Sequence, residues 1–455
     1  MPIENNNWHF GVLPFTGTGH MNPLIALSQE IAKRGHKVTF IERVKVEDRV
    51  RKAGLGFAPI PAPPGASRHE PRSTRFTVWD ELSTLRSNLM RVTREIDHYL
   101  EKTPPALIEA GVSALLIDEI AITGPTIAQW LRLPYFLLST SVPHCFGWAG
   151  SSWLSGYRYS RTAASWLHAP LLEVSASRMR GPIRSGLDRF RLKAGLGPVR
   201  RIAKHHPCLA HIAQLPECLD LPRTSLPRNF HYTHPWLCER ATQRVDFPWN
   251  QLDGRQVVYV TLGTTRSAQP AILRMIAAAC SGLDVQLVIS LGNRFDAAAF
   301  ARLPGRPVVV NFAPQRELLK IAALVISHGG ANTAFETLME GKPQVIIPLA
   351  YDQPAIAARL RRLHVAEVLP VMRLSPDRIR VSVTKVLHDP HYRRAAARMQ
   401  SALRSTNGPK RAADIIEVEL AGYSARQQLA LRTEPWIAGP ASSQAGVMAA
   451  STLQR

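Results

Sequence analysis

Two groups of residues in this 455-residue chain have the types and spacing for chemistry. The first is His328-Gly329-Gly330, followed by Asn332, Thr333 and Glu336 and then by Asp352-Gln353. A glycine turn between a strand and a helix aims free backbone N–H groups, and the positive end of the helix dipole, at whatever lies above it. A phosphate is the usual guest. The second is Thr16-Gly17-Thr18-Gly19-His20-Met21-Asn22-Pro23, where glycines allow a sharp turn and leave His20 at the mouth of a helix. An uncharged imidazole there can take a proton from a hydroxyl near neutral pH if a neighbour fixes its tautomer. The helix N-terminus opposes a cationic His20 and so favours a neutral ring at rest. Asp118, directly after the apolar run Ala114–Ile117, is the best placed partner, and Glu119 is the alternative.

The elements that must carry these groups follow from apolar periodicity. Phe10–Phe15 and Lys37–Ile41 read as strands, with a helix over Met21–Arg34 stopped by Gly35. Prolines 59, 61, 63, 64 and 71 mark an irregular loop. Thr77–Lys102 reads as a long amphipathic helix, Ala114–Ile117 as a strand, Gly124–Leu131 as a helix and Tyr135–Ser139 as a strand. From 142 to 238 the pattern is irregular. A second α/β series then opens with Val257–Leu262, Val285–Ser290, Val308–Phe312, Leu324–Ser327 and Val345–Pro348, and Arg411–Gly422 reads as a last helix. Alternation of this kind implies parallel sheets with right-handed crossovers. The expected division is a catalytic-base and acceptor domain (1–234), a linker (235–255), a donor domain (256–423) and a disordered tail (424–455).

The stretch from Phe312 to Gln353, FAPQRELLKIAALVISHGGANTAFETLMEGKPQVIIPLAYDQ, resembles the nucleotide-sugar-binding signature of the family 1, UDP-glycosyltransferase-like enzymes. Its PQ, HGG-N-T-E and DQ elements occur in the family's order and spacing. The resemblance implies an α/β GT-B fold: two facing Rossmann-like domains with parallel sheets and a cleft between them. The G-x-GH-x-NP loop resembles the family's catalytic-base motif, and an Asp after a later strand resembles its dyad partner. On that resemblance His20 is the general base and Asp118 the carboxylate that orients it.

The donor contacts implied by the resemblance are Phe312, Pro314 and Gln315 on the base and ribose, and His328, Gly329, Gly330, Asn332 and Thr333 on the phosphates. Glu336 would hold the ribose hydroxyls, and Asp352 and Gln353 those of the sugar. Thr264, in the Gly263-Thr264-Thr265 turn, is a further expected phosphate contact. Phe312 stands where plant members usually carry Trp, and Gly329-Gly330 replaces their Cys-Gly-Trp run. The implied reaction is an inverting transfer of a hexose, with UDP-glucose the expected donor. No D-x-D run occurs in the sequence, so neither a metal nor another cofactor is expected, and the nucleotide sugar is a co-substrate.

Residues 209–235 resemble the bacterial zeaxanthin glucosyltransferases through a QLP…D-PR…LP-FHY pattern, and DQPAIAARL (352–360) resembles their DQP-AAR run. His234 replaces a Gly of that pattern. The expected acceptor is a lipophilic hydroxylated molecule such as a carotenoid, facing the Trp/Tyr-rich segment 146–166. Other acceptors, among them a polyketide or a lipid, and a non-catalytic nucleotide-sugar-binding protein are the alternatives. An epimerase acting on the same donor would not need the His20 loop.

Composition sets outer limits. With 45% hydrophobic and 20% charged residues the chain suits an ordinary globular protein of two to three domains. No run approaches the ~18 apolar residues of a bilayer span, and no leader-like segment opens the chain. Five widely spaced cysteines, with no C-x-x-C, form neither a disulfide framework nor a zinc site and point to a reducing cytoplasm. The net charge is +22, and much of the excess falls in Arg178–Lys204. Such a run could attract an anionic membrane at its inner face. Its lack of interleaved aromatics argues against nucleic acid.

Overall fold

The computed structural model describes residues 7–63, 78–143, 181–199, 208–223, 226–237, 245–263, 270–292, 295–300 and 302–433. Thr264, the segment 146–166, Arg178, Arg180, Arg200, Arg201, Lys204 and residues beyond 433 lie outside the described residues, and with them the readings that rest on them.

The first lobe holds seven parallel strands: β1 (His9–Leu13), β2 (Lys37–Glu42), β3 (Gly56–Pro59), β4 (Ala114–Asp118), β5 (Tyr135–Ser139), β6 (His211–Ala213) and β7 (Phe230–Tyr232). They run in the order β3-β2-β1-β4-β5-β6-β7, with Phe10 opposite Ala114 and Val38. Helices α1 (Thr18–Lys33), α2 (Glu47–Lys52), α3 (Val78–Glu109), α4 (Gly124–Trp130) and α5 (Gly181–Lys193) connect or flank them. β4 and β5 are buried at every position, as strands covered by helices on both faces must be.

The second lobe repeats the plan with six strands: β8 (Gln256–Thr261), β9 (Val285–Ser290), β10 (Val308–Val310), β11 (Ala322–Ser327), β12 (Gln344–Ile346) and β13 (Ala366–Val368). Their order is β10-β9-β8-β11-β12-β13, again all parallel. Its helices are α6 (Pro270–Cys280), α7 (Gln315–Ile321), α8 (Ala331–Met339), α9 (Gln353–Arg362), α10 (Pro376–His388) and α11 (Pro390–Arg404).

Each sheet winds outward from its first strand and then returns to that strand's other side. The reversal falls between β1 and β4 in one lobe and between β8 and β11 in the other. Crossover helices diverge there and leave a crevice at the carboxyl ends of the strands, where open α/β sheets bind ligands.

The structure corrects the expected boundaries in three places. The final helix, α12, spans Gly408–Thr433 and thus runs through the start of the expected tail. It belongs to the first lobe: Ala412, Ala413, Ile416 and Leu420 join Leu24, Leu27, Ile31 and Phe10 in one core. Arg34 on α1 clamps it through Asp414 (2.8 Å) and Glu417 (2.7 Å). Trp236, expected in a linker, is buried in that same core. The long helix α3 also runs past Lys102 through Pro104 and Pro105, because Leu100 and Leu107 are both buried against the sheet. Among the described residues no helix is long and apolar enough to cross a membrane.

Candidate active site

The loop after β1 and the end of β4 meet at the first lobe's reversal point. Asp118, the last residue of β4, is fully buried and its Oδ2 lies 2.8 Å from His20 Nδ1. Its Oδ1 accepts from the Ile120 N–H at 3.0 Å. Thr140, just past β5, places its hydroxyl 2.7 Å from His20 Nδ1 and donates to Asp118 Oδ2 at 3.4 Å. Phe15 meets the ring edge-on at 5.0 Å. A buried carboxylate on Nδ1 fixes the tautomer and leaves Nε2 as the working nitrogen. The His20 side chain is 23% exposed.

The balance of electrostatic effects runs opposite to the expected preference for a neutral ring. Burial works against the cation, but Asp118, then Asp352 and Glu119, prevail and raise His20 above its ordinary value. Glu119, the alternative partner, is turned elsewhere: its carboxylate lies 3.5 Å from buried His211 Nε2, which also meets the Ser139 hydroxyl at 2.6 Å.

In the second lobe, β8 ends at Thr261, two residues before Gly263, and β11 leads into His328-Gly329-Gly330 and α8. His328 is buried, and the Cε1–Nε2 edge of its ring comes close to two glycines. A Cβ on Gly263 would meet its Cε1 at 2.6 Å, and one on Gly330 would meet its Nε2 at 2.5 Å. Gly329 takes a φ of +79 that side chains rarely adopt, and a Cβ there would strike Ile346. Burial holds His328 below the usual histidine range despite Asp352 nearby, so at neutral pH the ring is an uncharged hydrogen-bonding group. Its Nδ1 is buried without a hydrogen-bond partner among the described residues.

Glu336, on α8, receives a 2.6 Å hydrogen bond from Gln315 Nε2, and Tyr259 donates to Gln315 Oε1 at 3.4 Å. Burial pushes the Glu336 carboxyl up, against Gln315 and Arg316. Phe312 is 48% exposed, and Pro314 caps α7 beside Gln315. Gln315 and Glu336 are thus brought together. Thr333, in the first turn of α8, is half-buried.

Three expected ligand contacts make hydrogen bonds within the protein. Gln353 is buried and its Oε1 accepts from Leu349 N–H (2.8 Å) and Ala350 N–H (2.9 Å), pinning a loop in which Tyr351 holds φ at +58. Asn332 reaches the other lobe, donating to the Gly19 carbonyl at 2.9 Å and accepting from Gln214 Nε2 at 3.2 Å. Gln214 is itself fully buried; it donates to the Thr140 carbonyl and accepts from the Trp236 N–H at 3.1 Å. Asp352 sits at the N-cap of α9, yet its carboxylate does not cap the helix. It accepts instead from the Ser141 hydroxyl of the first lobe.

Thr140, Ser141 and Gln214 were not among the residues anticipated from sequence. A polar Ser139-Thr140-Ser141 run directly after an apolar strand is the signal that could have found the first two. The two reversal points face each other, with His20, Thr140 and Ser141 on one side and Asp352 and Asn332 on the other.

Two Rossmann-like lobes with all-parallel sheets make this a GT-B fold. The comparisons agree. Residues 12–129 match the glycosyltransferase family 28 N-terminal domain, and residues 274–418 match the erythromycin biosynthesis protein CIII-like C-terminal domain. A zeaxanthin glucosyltransferase of Pantoea ananas is 26% identical over 430 residues, covering 90% of this chain and 95% of that protein. An oleandomycin glycosyltransferase of Streptomyces antibioticus is 25% identical over 439 residues, covering 94% of each. The crystal structure of a kitacinnamycin glycotransferase superposes with a TM-score of 0.71 at 23% identity, over 91% of this chain and 99% of that one. Together these likenesses support a family 1, UDP-glycosyltransferase-like GT-B enzyme.

Proposed function

We propose that the protein moves a hexose from a nucleoside diphosphate sugar, UDP-glucose in the first instance, to a hydroxyl of a lipophilic small molecule such as a carotenoid, with inversion. The observation that carries the mechanism is the 2.8 Å pairing of His20 Nδ1 with buried Asp118. His20 Nε2 takes the acceptor's O–H proton as that oxygen forms its bond to the anomeric carbon. The bond from that carbon to the diphosphate oxygen breaks, and the nucleoside diphosphate leaves with the electron pair. Asp118 stabilises the imidazolium that results. Charge gathering on the leaving diphosphate faces the N-terminus of α8, uncharged His328 and Thr333. Glu336 with Gln315 suits the ribose hydroxyls, Phe312 the base and Asp352 the sugar hydroxyls.

The carotenoid reading draws on the zeaxanthin glucosyltransferase likeness over nearly the whole chain. The oleandomycin glycosyltransferase likeness supports a second reading, in which the acceptor is another hydroxylated secondary metabolite. A non-catalytic nucleotide-sugar-binding protein would have no use for a buried carboxylate on His20. We also propose a cytoplasmic enzyme that rests on anionic membrane. Arg184, Arg189 and Lys193 are exposed on α5, whereas Arg191 is buried and spent on Gln129, Thr126 and the Gly197 carbonyl. Co-sedimentation with anionic vesicles, lost in salt, is the expected behaviour.

A mass-spectrometric screen of donors and acceptors, beginning with UDP-glucose and hydroxylated carotenoids, tests the main reading. Transfer to zeaxanthin that persists in EDTA supports it. Activity that disappears on chelation and returns with Mn²⁺ would overturn the metal-free mechanism, and transfer only to other acceptors would select the second reading.

A further inference from the structure

The two sequence runs that carried the acceptor resemblance, 209–235 and 352–360, meet each other in the structure. Asp220 lies between β6 and β7 in the first lobe and is 3% exposed; Arg359 lies on α9 in the second lobe and is 2% exposed. Arg359 donates from Nε (3.0 Å) and Nη2 (2.6 Å) to Asp220 Oδ1, and from Nη1 to the Ala355 carbonyl of its own helix (3.0 Å). Asp220 Oδ2 accepts from Arg223 Nε at 2.6 Å and from the Tyr232 hydroxyl at 2.8 Å. The Leu221 N–H adds a bond to Oδ1 at 2.8 Å, and Arg362 reaches the Asp220 carbonyl at 3.2 Å. Every oxygen of this carboxylate is therefore occupied, by donors from both lobes.

A buried ion pair is weak evidence for stability, since its desolvation offsets most of its attraction, but it does fix geometry. This one acts on the helix that starts at Asp352. Seven residues of α-helix separate Asp352 from Arg359, a rise of ~10 Å, so locking Arg359 sets both the advance and the roll of the helix that presents Asp352. At its other end Asp352 faces Ser141 and adds to the field on His20. The first-lobe side of the lock is equally rigid, because β6 continues into Gln214, which holds the Thr140 carbonyl and Asn332.

We propose that Asp220, Arg223 and Arg359 are positioning residues that hold α9 in register with the first lobe, so that Asp352 stands opposite His20 across the cleft. They touch neither acceptor nor donor, and the runs they belong to report lobe registration rather than acceptor identity. The kinetic part of the test rests on the proposed UDP-glucose and zeaxanthin pair; the spectroscopic part does not.

Arg359→Met, Asp220→Glu and the double variant Asp220→Leu/Arg359→Met are compared with the parent, with active sites counted by UDP binding. The double variant removes both members of the interlobe pair and leaves Arg223 to the Pro143 carbonyl, and counting rates per UDP-binding site restricts the comparison to folded molecules. A displacement of about 1 Å can cost on the order of 100-fold in rate. We expect kcat per UDP-binding site to fall about tenfold to 100-fold in Arg359→Met and in the double variant. UDP affinity should stay within about threefold of the parent, and Asp220→Glu should recover most of the rate, because it restores the carboxylate to both arginines. Spin labels at exposed Ile108 and Val381, one per lobe, should give a broader distance distribution in both variants than in the parent. If the parent does not glycosylate zeaxanthin, the acceptor reading fails while the label distances still decide this inference. An unchanged distance distribution, or a rate per site equal to the parent's, would overturn it.

Discussion

The carboxylate of Asp352 accepts a hydrogen bond from the Ser141 hydroxyl across the cleft, although the two residues come from different lobes. Ser141 follows Thr140, which contacts His20, and Asp352 begins α9. One short polar path therefore joins the proposed base to the proposed sugar-binding end of the donor lobe. A hydroxyl on Asp352 is what a sugar would also offer, so Ser141 competes for the carboxylate proposed to hold the donor's hydroxyls. Ser141→Ala should leave the fold intact and change donor affinity modestly, by about fivefold or less, since a net hydrogen bond amounts to ~1 kcal/mol. Isothermal titration with UDP-glucose measures it.

His20→Ala should remove turnover and spare the donor site. General acid–base catalysis contributes ~10²- to 10⁴-fold, so kcat should fall within that range while the UDP dissociation constant stays within about twofold. Calorimetry with UDP alongside a product assay separates the two effects. A variant that retained full turnover would mean that the acceptor proton leaves by another route.

The pH dependence of this base has a defined sign. Burial disfavours the His20 cation, but Asp118, Asp352 and Glu119 outweigh it and put the folded-state pKa above the ordinary 6.5. The base is active when neutral, so kcat/KM should rise with pH through an acid limb above 6.5. Asp118→Asn should move that limb to lower pH while reducing the rate. Stability should run the other way: the contribution of the pair is complete below the unfolded value and fades as pH rises through the folded pKa. Rate profiles and melting curves from pH 5 to 9 on the same preparations test both directions together.

Glu336→Ala should weaken donor binding while leaving acceptor binding nearly intact. The carboxylate is held by Gln315 at 2.6 Å, in a group that also includes Tyr259. A hydrogen bond to a charged group amounts to about 1.5–3 kcal/mol, which corresponds to ~10- to 150-fold in UDP affinity. Equal losses for donor and acceptor would show that Glu336 shapes the whole cleft.

Much of the site was legible because its residues sit at the ends of strongly patterned strands. Asp118 ends the apolar run of β4 and His328 ends that of β11, so a position in sequence already implied a position at a sheet's carboxyl edge. What escaped was decided by distant contacts. Asp220 and Arg359 are 139 residues apart, and nothing local to either announces the other. Strands β6 and β7 are three residues each, too short for an alternating pattern to show. The destination of α12 depends on which lobe offers it an apolar groove, and a helix's own periodicity does not carry that information. The neutral-ring expectation for His20 weighed the helix dipole; the added pull of Asp352, from the other lobe, arises only in the folded chain.

Gly330→Ala tests how tightly the donor turn is built. The backbone at Gly330 has φ −63 and ψ 138, which alanine adopts without strain, so conformational freedom is not why glycine stands there. The reason is the neighbouring ring: an added Cβ would lie 2.5 Å from His328 Nε2 and 2.9 Å from its Cε1. Gly263 crowds the same ring, since a Cβ there would lie 2.6 Å from Cε1 and 2.7 Å from Nε2. Either the turn or the ring must move, and overpacking of this kind costs ~1–3 kcal/mol. The melting temperature should fall, and UDP affinity should fall with it, because the displaced groups are the ones proposed to face the diphosphate. Gly19→Ala supplies the control, since a Cβ there meets nothing within 4 Å. That variant should melt close to the parent, and a loss as large as that of Gly330→Ala would mean that steric closeness to His328 is not what makes Gly330 necessary.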